Sequence, residues 1–412
     1  MNISTPDYPL VVIGAGAAGL GASVKATELG IPHLVLEASH RTGGRGLTEF
    51  LENGVPVDLG CHWMHCARQN PFVPLAERLE FEYERSNPIY QAFVNGSWGD
   101  GTAAAARNAY LESVETAVCD AYHSGKRISI WDCMEQESLH CGWASYWLSL
   151  MHSNDPDQVS VSDMAEFDDT HEDWPLRQGY GALISASGEK CPVRLNTPVS
   201  EINWGSNQVR IVLTDGEITT TKVLITVSTG VLGAGDIKFT PALPVWKQQA
   251  IQDLPLGNYN NLFFPLMPGA LVDAPGAIGY AKDDVFAAIR VRPFGDDCVF
   301  VTVAGRFAWW LEKKGEIVAS QWFEDVLAEI FGDNVRKELG RFRASAWGFD
   351  PWIKGAYSCT VPGAVEPRKV LAHPVDQKLF FAGEATSARE FNTAHGAWKS
   401  GQNAVQSLYE QK

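Results

Sequence analysis

A glycine-rich turn between an apolar strand and a helix lies near the start of the sequence and constrains the fold more than any other feature. The apolar residues 9–13 lead directly into a G-x-G-x-x-G pattern formed by Gly14, Gly16 and Gly19, and an alanine-rich stretch follows. In a dinucleotide-binding βαβ unit the first glycine permits the tight turn, the second lets a pyrophosphate approach the backbone, and the third lets the helix pack on the strand. The sequence therefore predicts a Rossmann-like unit at this end.

A carboxylate and two arginines follow this unit. The second strand ends at Glu37, whose carboxylate can accept hydrogen bonds from both hydroxyl groups of an adenosine ribose. Arg41 and Arg45 flank a turn formed by Gly43 and Gly44, and two guanidinium groups give fixed charges to a bound diphosphate. The alternative is an ordinary βα turn, but these added residues favour FAD as the ligand.

The string E-A-S-H-R-T-G-G-R at residues 37–45 resembles a motif of the flavin-containing amine oxidase superfamily, which includes monoamine oxidases, polyamine oxidases and lysine-specific histone demethylases. The resemblance runs nearly end to end along the chain. It implies that the ribose and the pyrophosphate of FAD are held by Glu37, Arg41, Gly43, Gly44 and Arg45. It also implies an α/β (α+β) fold, with a Rossmann-like FAD-binding domain interleaved with a substrate domain of mixed sheet and helices.

The boundaries of the two domains follow from where the motifs return along the 412 residues. Because no repeat or low-complexity linker separates them, we expect each domain to be built from several stretches of chain. The FAD-binding domain is assigned to residues 1–85, 178–240 and 344–412, and the substrate domain to residues 86–177 and 241–343. In the substrate domain the pattern predicts helices at residues 102–123, 144–152 and 318–330 and strands at residues 261–265 and 298–303.

The segment from Val57 to His65 resembles the polyamine-oxidase segment that passes beside the flavin ring. The resemblance implies that the flavin is contacted by Gly60, Cys61, His62 and Trp63. His65 falls at the position of that group's active-site histidine. A neutral imidazole there could hydrogen-bond a substrate amine or help to keep it deprotonated, and the alternative is a histidine satisfied in the core.

Two aromatic residues belong to a pattern of Trp, then Asp-Pro, then Gly-x-Tyr-Ser, which has the family's spacing. The resemblance implies that Tyr357 stands against the flavin face as one wall of an aromatic cage, with its electron-rich ring facing a substrate nitrogen. It places Trp347 near the isoalloxazine ring. Without the resemblance both would be interpreted as core aromatic residues.

The last third of the chain resembles the family's F-A-G-E and H-G-A pair. Glu384 is expected to accept hydrogen bonds from the ribityl chain. Thr393 and Ala394 open the last helix, whose N-terminal dipole would stabilise an anionic reduced flavin at the pyrimidine edge. The resemblance also implies that the backbone of Val199 pairs with the adenine.

Three departures from the family pattern bear on the chemistry. Ala356 stands where monoamine oxidases carry the cysteine that attaches FAD, so FAD is expected to bind noncovalently. Thr393 stands at the second cage position, which leaves the pocket half aromatic. Asn261 stands where most relatives carry a lysine that holds a water at the flavin N(5), and because an amide has no net charge we expect slow reoxidation by oxygen. The competing interpretation is that Lys354 or His65 supplies the charge.

Charge and cysteine usage restrict the partners and the location. Lys plus Arg number 33 against 49 Asp plus Glu, and a net charge of −16 repels nucleic acids and anionic membranes. No uncharged apolar run reaches the roughly 18 to 20 residues of a membrane helix. Eight scattered cysteines without a C-x-x-C pair or a metal-ligand cluster indicate reduced thiols in the cytoplasm and no metal. The oligomeric state is left open.

An acidic run at residues 163–173 is interpreted as a solvated loop, and the alternative is that one or two of its carboxylates face the substrate entrance.

The chemistry predicted for the whole chain is amine oxidation: hydride leaves the carbon α to a neutral amine for FAD, water hydrolyses the imine, and oxygen or another acceptor takes the electrons. His65 and the acidic balance favour a di- or polyamine.

Two other functions compete with this prediction. An FAD-dependent dehydrogenase or desaturase could act on a non-amine substrate with an acceptor other than oxygen, but the Gly-x-Tyr-Ser and Trp-Met-His strings argue against it. A flavin-free binding protein, similar to the Rab GDP-dissociation inhibitors, is disfavoured by the intact FAD motifs.

Overall fold

The structure is a computed structural model that describes residues 7–85, 87–99, 102–283 and 285–410. The first six and last two residues of the predicted FAD-binding domain, and residues 86, 100, 101 and 284 of the substrate domain, lie outside the described part. The strands are β1 (Tyr8–Ile13), β2 (His33–Leu36), β3 (Thr48–Phe50), β4 (Pro56–Asp58), β5 (Trp63–Met64), β6 (Gln91–Val94), β7 (Ser97–Trp98), β8 (Trp174–Pro175), β9 (Val193–Arg194), β10 (Val199–Asn203), β11 (Val209–Leu213), β12 (Gly216–Ile225), β13 (Lys238–Thr240), β14 (Tyr259–Pro265), β15 (Ala277–Lys282), β16 (Val285–Val291), β17 (Cys298–Ala304), β18 (Arg343–Ala344) and β19 (Leu379–Phe381).

The helices are distributed between these strands. They are α1 (Ala17–Glu28), α2 (Phe72–Arg78), α3 (Thr102–His123), α4 (Cys141–His152), α5 (Val161–Glu166), α6 (Tyr180–Ser187), α7 (Thr229–Ala234), α8 (Val245–Gln252), α9 (Gly305–Lys314), α10 (Glu316–Phe331), α11 (Pro367–Ala372) and α12 (Ala394–Glu410). None of the described helices is both long and apolar enough to cross a membrane.

The first sheet has a parallel centre in the order β9-β2-β1-β12-β19. Residues 10–12 of β1 have no exposed surface, as expected for a strand covered on both faces. Because the strands are parallel, their carboxyl ends meet at one edge, where Gly14 follows β1, Glu37 follows β2 and Thr226 follows β12. Ligands of open parallel sheets bind outside this edge.

The chain closes the first sheet with its last helix, which packs against the first. α1 and α12 approach so closely that a Cβ on Gly401 would lie 1.9 Å from the carbonyl oxygen of Ala18. A residue larger than glycine at 401 would therefore force the two helices apart. Trp398 of α12 is buried in an apolar cluster that also contains residues of α1. This contact fixes the beginning of α12 beside the glycine turn.

The second sheet has the order β18-β14-β17-β16-β15-β6-β7 and is largely antiparallel. Successive side chains along each strand point to opposite faces of the sheet, and both faces are covered. Val299, Val301 and Val303 of β17 pack in the apolar cluster that includes Phe323 of α10, and the residues between them face the opposite way. That opposite face turns toward the first sheet and, with α3 and α4, encloses the space between the two sheets.

Most of the predicted elements are confirmed with small shifts of their ends. α3 spans the predicted residues 102–123, α4 begins three residues earlier than predicted, and α10 extends beyond residues 318–330 at both ends. The predicted α/β fold class with a Rossmann-like sheet and a second mixed sheet is confirmed. The domain boundaries stay a prediction.

Candidate active site

One cavity of about 1400 Å³ runs from the carboxyl edge of the first sheet to the inner face of the second. Its first half is lined by the glycine turn and by the loops after β2 and β12. Its second half is lined by β14, β16 and β17 of the second sheet and by α3 and α4. Nearly all of the site residues predicted from the sequence line it: Gly14, Gly16, Glu37, Arg41, Gly43, Gly44, Arg45, Gly60, Cys61, His62, Trp63, His65, Val199, Trp347, Tyr357, Glu384, Thr393 and Ala394.

The glycine turn has the geometry that its pattern predicts. Gly14 has a φ of +102°, in the region that favours glycine. A Cβ on Gly19 would lie 1.9 Å from the carbonyl oxygen of Gly14, so only glycine lets α1 begin here. Gly16 precedes α1 without a side-chain cap, which leaves amide groups and the positive end of the helix dipole directed at the cavity.

Glu37 marks the far end of this half of the cavity. Its carboxylate accepts hydrogen bonds from the amide groups of Ala15 at 2.6 Å and Ser39 at 2.9 Å, and only about a tenth of the residue is exposed. Arg41 lines the same region, where burial lowers the pKa of its guanidinium and the charges of Asp350 and Glu37 oppose that shift. A fixed acceptor and a fixed cation therefore lie side by side.

Arg45 joins the two ends of the chain. Its Nη1 donates to the Glu384 carboxylate at 2.9 Å and to the Ala356 carbonyl oxygen. Glu384 is buried and also accepts from the hydroxyl group of Ser358 at 2.7 Å and from the amide of Asn392 at 3.3 Å. The Ser358 amide donates to the same carboxylate at 3.3 Å, so the carboxylate expected at the ribityl chain is held by four groups from three segments.

The cavity wall fits a flavin dinucleotide. The Asn392 Oδ1 is buried in this wall without a hydrogen-bond partner among the described residues, and a buried polar atom of this kind requires a partner. Two helix N-termini, those of α1 and α12, open on the cavity, one near each end of the first half. Acceptors, cations and unpaired polar groups are therefore present where a ribose, a diphosphate and a ring system need them.

The loop at residues 60–63 forms the junction between the two halves. A Cβ on Gly60 would lie 1.7 Å from the carbonyl oxygen of Arg45, and the Trp347 indole Nε1 donates to the Leu59 carbonyl at 2.8 Å. Burial is the main cause that lowers the pKa of His62 to about 3, so His62 is neutral. Trp63 packs against it with ring centroids 4.9 Å apart.

His65 is paired with a carboxylate in the cavity wall. Its Nδ1 lies 2.6 Å from the Asp173 carboxylate. Burial acts to lower the pKa of His65, but the hydrogen bond to Asp173 and the charges of Asp173 and Asp169 outweigh it, so the net shift is upward. A carboxylate at hydrogen-bond distance stabilises an imidazolium, so Asp173 raises the proton affinity of His65, and the neutral imidazole expected from the sequence stays a prediction.

Tyr357 forms part of the cavity wall at the junction. Its hydroxyl group donates to the Leu150 carbonyl oxygen of α4, and its ring lies 5.6 Å from that of Tyr259 at an angle of 48°. Burial raises the pKa of Tyr357 well above its ordinary value, so the phenol stays neutral. Thr393 leaves the second cage position without an aromatic ring, and Tyr259, which the sequence analysis did not select, adds a second aromatic ring to the wall beside Tyr357.

Asn261 does not line the cavity. It has no exposed surface, and its amide donates to the carbonyl oxygens of Asp58 at 3.0 Å and Gly60 at 3.2 Å and accepts from Thr302 at 2.9 Å. Both N–H groups and the oxygen of the side-chain amide are therefore hydrogen-bonded. The side chain connects β14 of the second sheet to the loop before His62, which is a positioning role that the sequence analysis did not foresee.

The remaining predicted positions lie at the two ends of the first half of the cavity. Thr393 is the residue before α12, and its hydroxyl group accepts from the amide of Gly396 at 3.0 Å and so caps the helix. Ala394 is the first residue of α12. Val199 lies at the opposite end, where β10 begins.

The interpretation of the acidic run at residues 163–173 as a solvated loop is wrong for its first part. Residues 161–166 form α5, and Asp163 is buried in an ion pair at 3.0 Å with Arg368, which is buried as well. Asp169 and Asp173 line the cavity, as the alternative interpretation held. The error arose because a run of charges in the sequence does not reveal a buried cation about 200 residues away.

Sequence reasoning missed several cavity residues. Arg107 of α3 and Arg290 of β16 line the second half. The only sequence signal for Arg290 is its isolated charge in the apolar strand VFAAIRV. No local signal connects His65 with Asp173, because they are 108 positions apart.

The parallel sheet, its glycine turn and the attached second sheet together define an α/β protein with a Rossmann-like sheet and a large cavity between its two sheets. The chain belongs to the family described as flavin containing amine oxidoreductase, whose model matches residues 17–120 and 135–408. The family implies a flavin cofactor, and the protein is an oxidoreductase that acts on amines.

Individual relatives agree with this assignment. Polyamine oxidase 4 of Oryza sativa subsp. japonica is 28% identical over 95% of this chain and 86% of its own length. Lysine-specific histone demethylase 2 of Homo sapiens is 27% identical over 95% of this chain and 52% of its own length. A structure of putrescine oxidase bound to putrescine matches with a TM-score of 0.83 and 16% identity, and covers 98% of this chain and 99% of that one.

Proposed function

We propose that the protein is an FAD-dependent amine oxidase that removes hydride from the carbon α to an amine, with hydrolysis of the resulting imine to an aldehyde or ketone. The observation that carries the proposal is the single cavity that joins the dinucleotide cradle to an aromatic chamber at Tyr357 and Tyr259. FAD, when bound, accepts the hydride, and oxygen or another acceptor takes the electrons.

The residues of the chain have separable tasks in this reaction. The neutral rings of Tyr357 and Tyr259 exclude water and present an electron-rich face to the substrate nitrogen. The pair of His65 and Asp173 lies in the same chamber and can exchange a proton with an incoming ammonium group through His65. Asn261 and Trp347 hold the loop at residues 58–60 in place.

A substrate panel tests this function. Anaerobic mixing of the purified protein with monoamines, diamines, polyamines and amino acids is expected to bleach the flavin absorbance with at least one class. Bleaching by none of them, while dithionite still reduces the flavin, would contradict amine oxidation and would favour a dehydrogenase of a non-amine substrate.

FAD is expected to be released completely by acid or heat precipitation, because its attachment is noncovalent. Ala356 stands where a covalent attachment would form in monoamine oxidases. Of the described cysteines, only Cys61 lines the cavity. Burial raises the pKa of Cys61, which disfavours the reactive thiolate. Flavin colour that remains on the precipitated protein would refute noncovalent binding.

Arg45→Ala is expected to lower the fraction of protein that carries FAD. The change removes a charge from the cavity and also leaves the buried Glu384 without its cationic partner, so the thermal midpoint should fall as well. Arg45→Lys keeps the charge and serves as the matched variant. The ratio of flavin to protein absorbance measures the effect, and an unchanged ratio in Arg45→Ala would show that Arg45 does not hold the cofactor.

Tyr357→Ala is expected to slow amine-dependent flavin reduction about 2- to 30-fold, because an aromatic face contributes roughly 0.5 to 2 kcal/mol to orienting a cationic or partly charged nitrogen. FAD content should be nearly unchanged. Tyr357→Phe keeps the ring and loses only the bond to Leu150, so it should retain most of the rate. Equal rates in the parent and in Tyr357→Ala would show that Tyr357 only fills space.

A further inference from the structure

Two arginines line the second half of the cavity and have no ion-pair partner among the described residues. Arg107 of α3 lies over the ring of Trp143 at 4.6 Å, and Arg290 of β16 lies over the ring of Trp63 at 5.4 Å. No carboxylate of the described residues lies within ion-pair distance of either one. A chamber built only for cationic polyamines has no use for two cations in its walls, since like charges repel in a space of low dielectric.

Arg290 is fixed in place by the sheet. It points to the same face of β16 as Ala288, and both line the cavity beside Phe300 and Thr302 of β17. Its Nε donates to the Gly276 carbonyl oxygen at 3.3 Å, whereas neither Nη nitrogen has a hydrogen-bond partner among the described residues. The two free nitrogens form the fork that binds a carboxylate through two parallel hydrogen bonds.

The charges around Arg290 are not balanced by the protein. Burial lowers the pKa of Arg290, and Tyr90 and Glu84 oppose this shift only in part. The two aspartates of the chamber are engaged elsewhere, Asp173 with His65 at 2.6 Å and Asp169 with His171 at 3.2 Å. An anion is therefore the ligand that would complete this wall.

Arg290 lies close to the loop at residues 60–63, which forms the junction between the two halves of the cavity. The ring of Trp63, which Arg290 covers, packs against His62, and His62 in turn lies 5.7 Å from the ring of Phe300. Arg290 is thus at the junction loop, within the chamber that Tyr357 and Tyr259 enclose. An anionic group bound to Arg290 belongs to the same molecule that presents its amine to this junction.

We infer that Arg290 binds a carboxylate of the substrate, so that the substrate is an amino acid with an apolar or aromatic side chain rather than a plain amine. This inference rests on the proposed amine oxidation and names its substrate class. The side chain of the substrate is expected to be apolar because α3 and α4 line the second half of the cavity with Leu111, Trp143, Trp147 and Met151.

The chemistry balances for this class. The α C–H bond of the amino acid breaks and its electron pair passes as hydride to the flavin, while the amine loses one proton and the C=N bond of an imino acid forms. Water then adds to the C=N bond and releases ammonia and a 2-oxo acid. The flavin is the oxidant of this step, and oxygen, reduced to hydrogen peroxide, restores it.

Ligand binding without turnover gives the first test. The probe is 3-phenylpropanoate, which carries a carboxylate and no amine, titrated into the FAD-loaded protein by calorimetry. Arg290→Met should weaken binding about ten- to a hundredfold, the range for loss of charge-assisted hydrogen bonds, and Arg290→Lys should weaken it less. Arg341→Met is the matched control, because Arg341 is exposed and its side chain makes no ion pair with a described residue. Equal affinity of Arg290→Met and the parent, or no binding by the parent, would overturn the inference.

Matched substrates give the second test. The members of each pair, L-phenylalanine with phenethylamine and L-leucine with 3-methylbutylamine, differ only in the carboxylate. The amino acid of at least one pair should reduce the flavin at lower concentration than its amine, and Arg290→Met should abolish that preference. Reduction by the plain amines alone would overturn the inference and leave amine oxidation standing. Reduction by none of the panel would instead refute the proposed function, and the calorimetric result would still decide whether the carboxylate site exists.

Discussion

Reduced enzyme is expected to react slowly with oxygen. Asn261→Lys is expected to accelerate this step about a hundred- to a thousandfold when the longer side chain reaches past the loop at residues 58–60 and brings its ammonium group to the cavity. A nearby fixed cation stabilises the negative charge that develops on reduced oxygen, and one preorganised charge-bearing donor contributes roughly 2.7 to 4 kcal/mol in a dry site. Asn261 supplies no charge, and its amide is fully engaged with Asp58, Gly60 and Thr302. Stopped-flow mixing of the reduced protein with oxygen measures the rate.

Two further variants identify the source of any effect. Asn261→Met breaks the same hydrogen bonds without adding a charge, so it should not accelerate reoxidation. His65→Gln tests the competing cation, since His65 lines the cavity, whereas Lys354 is paired with Asp236 at 3.2 Å. Fast reoxidation in the parent that Asn261→Lys leaves unchanged and His65→Gln slows would assign the charge to His65.

Arg368→Met is expected to destabilise the protein by about 3 to 5 kcal/mol, the cost of leaving one member of a buried ion pair without its partner. The guanidinium lies 3.0 Å from Asp163, donates to the Ser358 hydroxyl at 2.8 Å and covers the ring of Phe391 at 3.9 Å. Ser358 in turn contacts Glu384. Denaturant unfolding with excess FAD in the buffer measures the loss.

The controls for this prediction separate charge from packing. Arg389→Met removes an exposed ion pair with Asp168, and a surface pair contributes less than about 1 kcal/mol. The double variant Asp163→Leu with Arg368→Met should recover much of the loss, because it removes both charges. A loss in Arg368→Met no larger than in Arg389→Met would contradict the prediction.

The sequence predicted the cofactor half of the cavity more fully than the substrate half. The glycine turn, Glu37 and the arginines lie close together in the chain, and the backbone geometry of a βα unit fixes their relative positions. The order of the remaining strands and the packing of α12 against α1 were not predicted, because they bring together segments that are far apart in the chain. Local pattern therefore carried most of the information about this half.

The substrate half depends on contacts between distant segments. Asn261 was selected by its position alone, and only the packing of β14 on the loop at residues 58–60 shows that its amide is enclosed. Likewise, Asp163 belongs to a run of charges that is normally solvated, and its buried partner Arg368 comes from another element. Alternation along β16 places Arg290 on one face, but the sequence does not state what that face covers.

The bond between Arg45 and Glu384 spans 339 positions of the chain, and this has a consequence for biosynthesis. At about 5 to 20 residues per second of translation, the ribosome needs roughly 20 to 70 s to supply the second partner after the first. During that interval the nascent glycine turn has neither β19 nor α12 beside it. Full enclosure of the cofactor is therefore a late event, and a chain interrupted before Glu384 is synthesised should emerge without tightly held flavin.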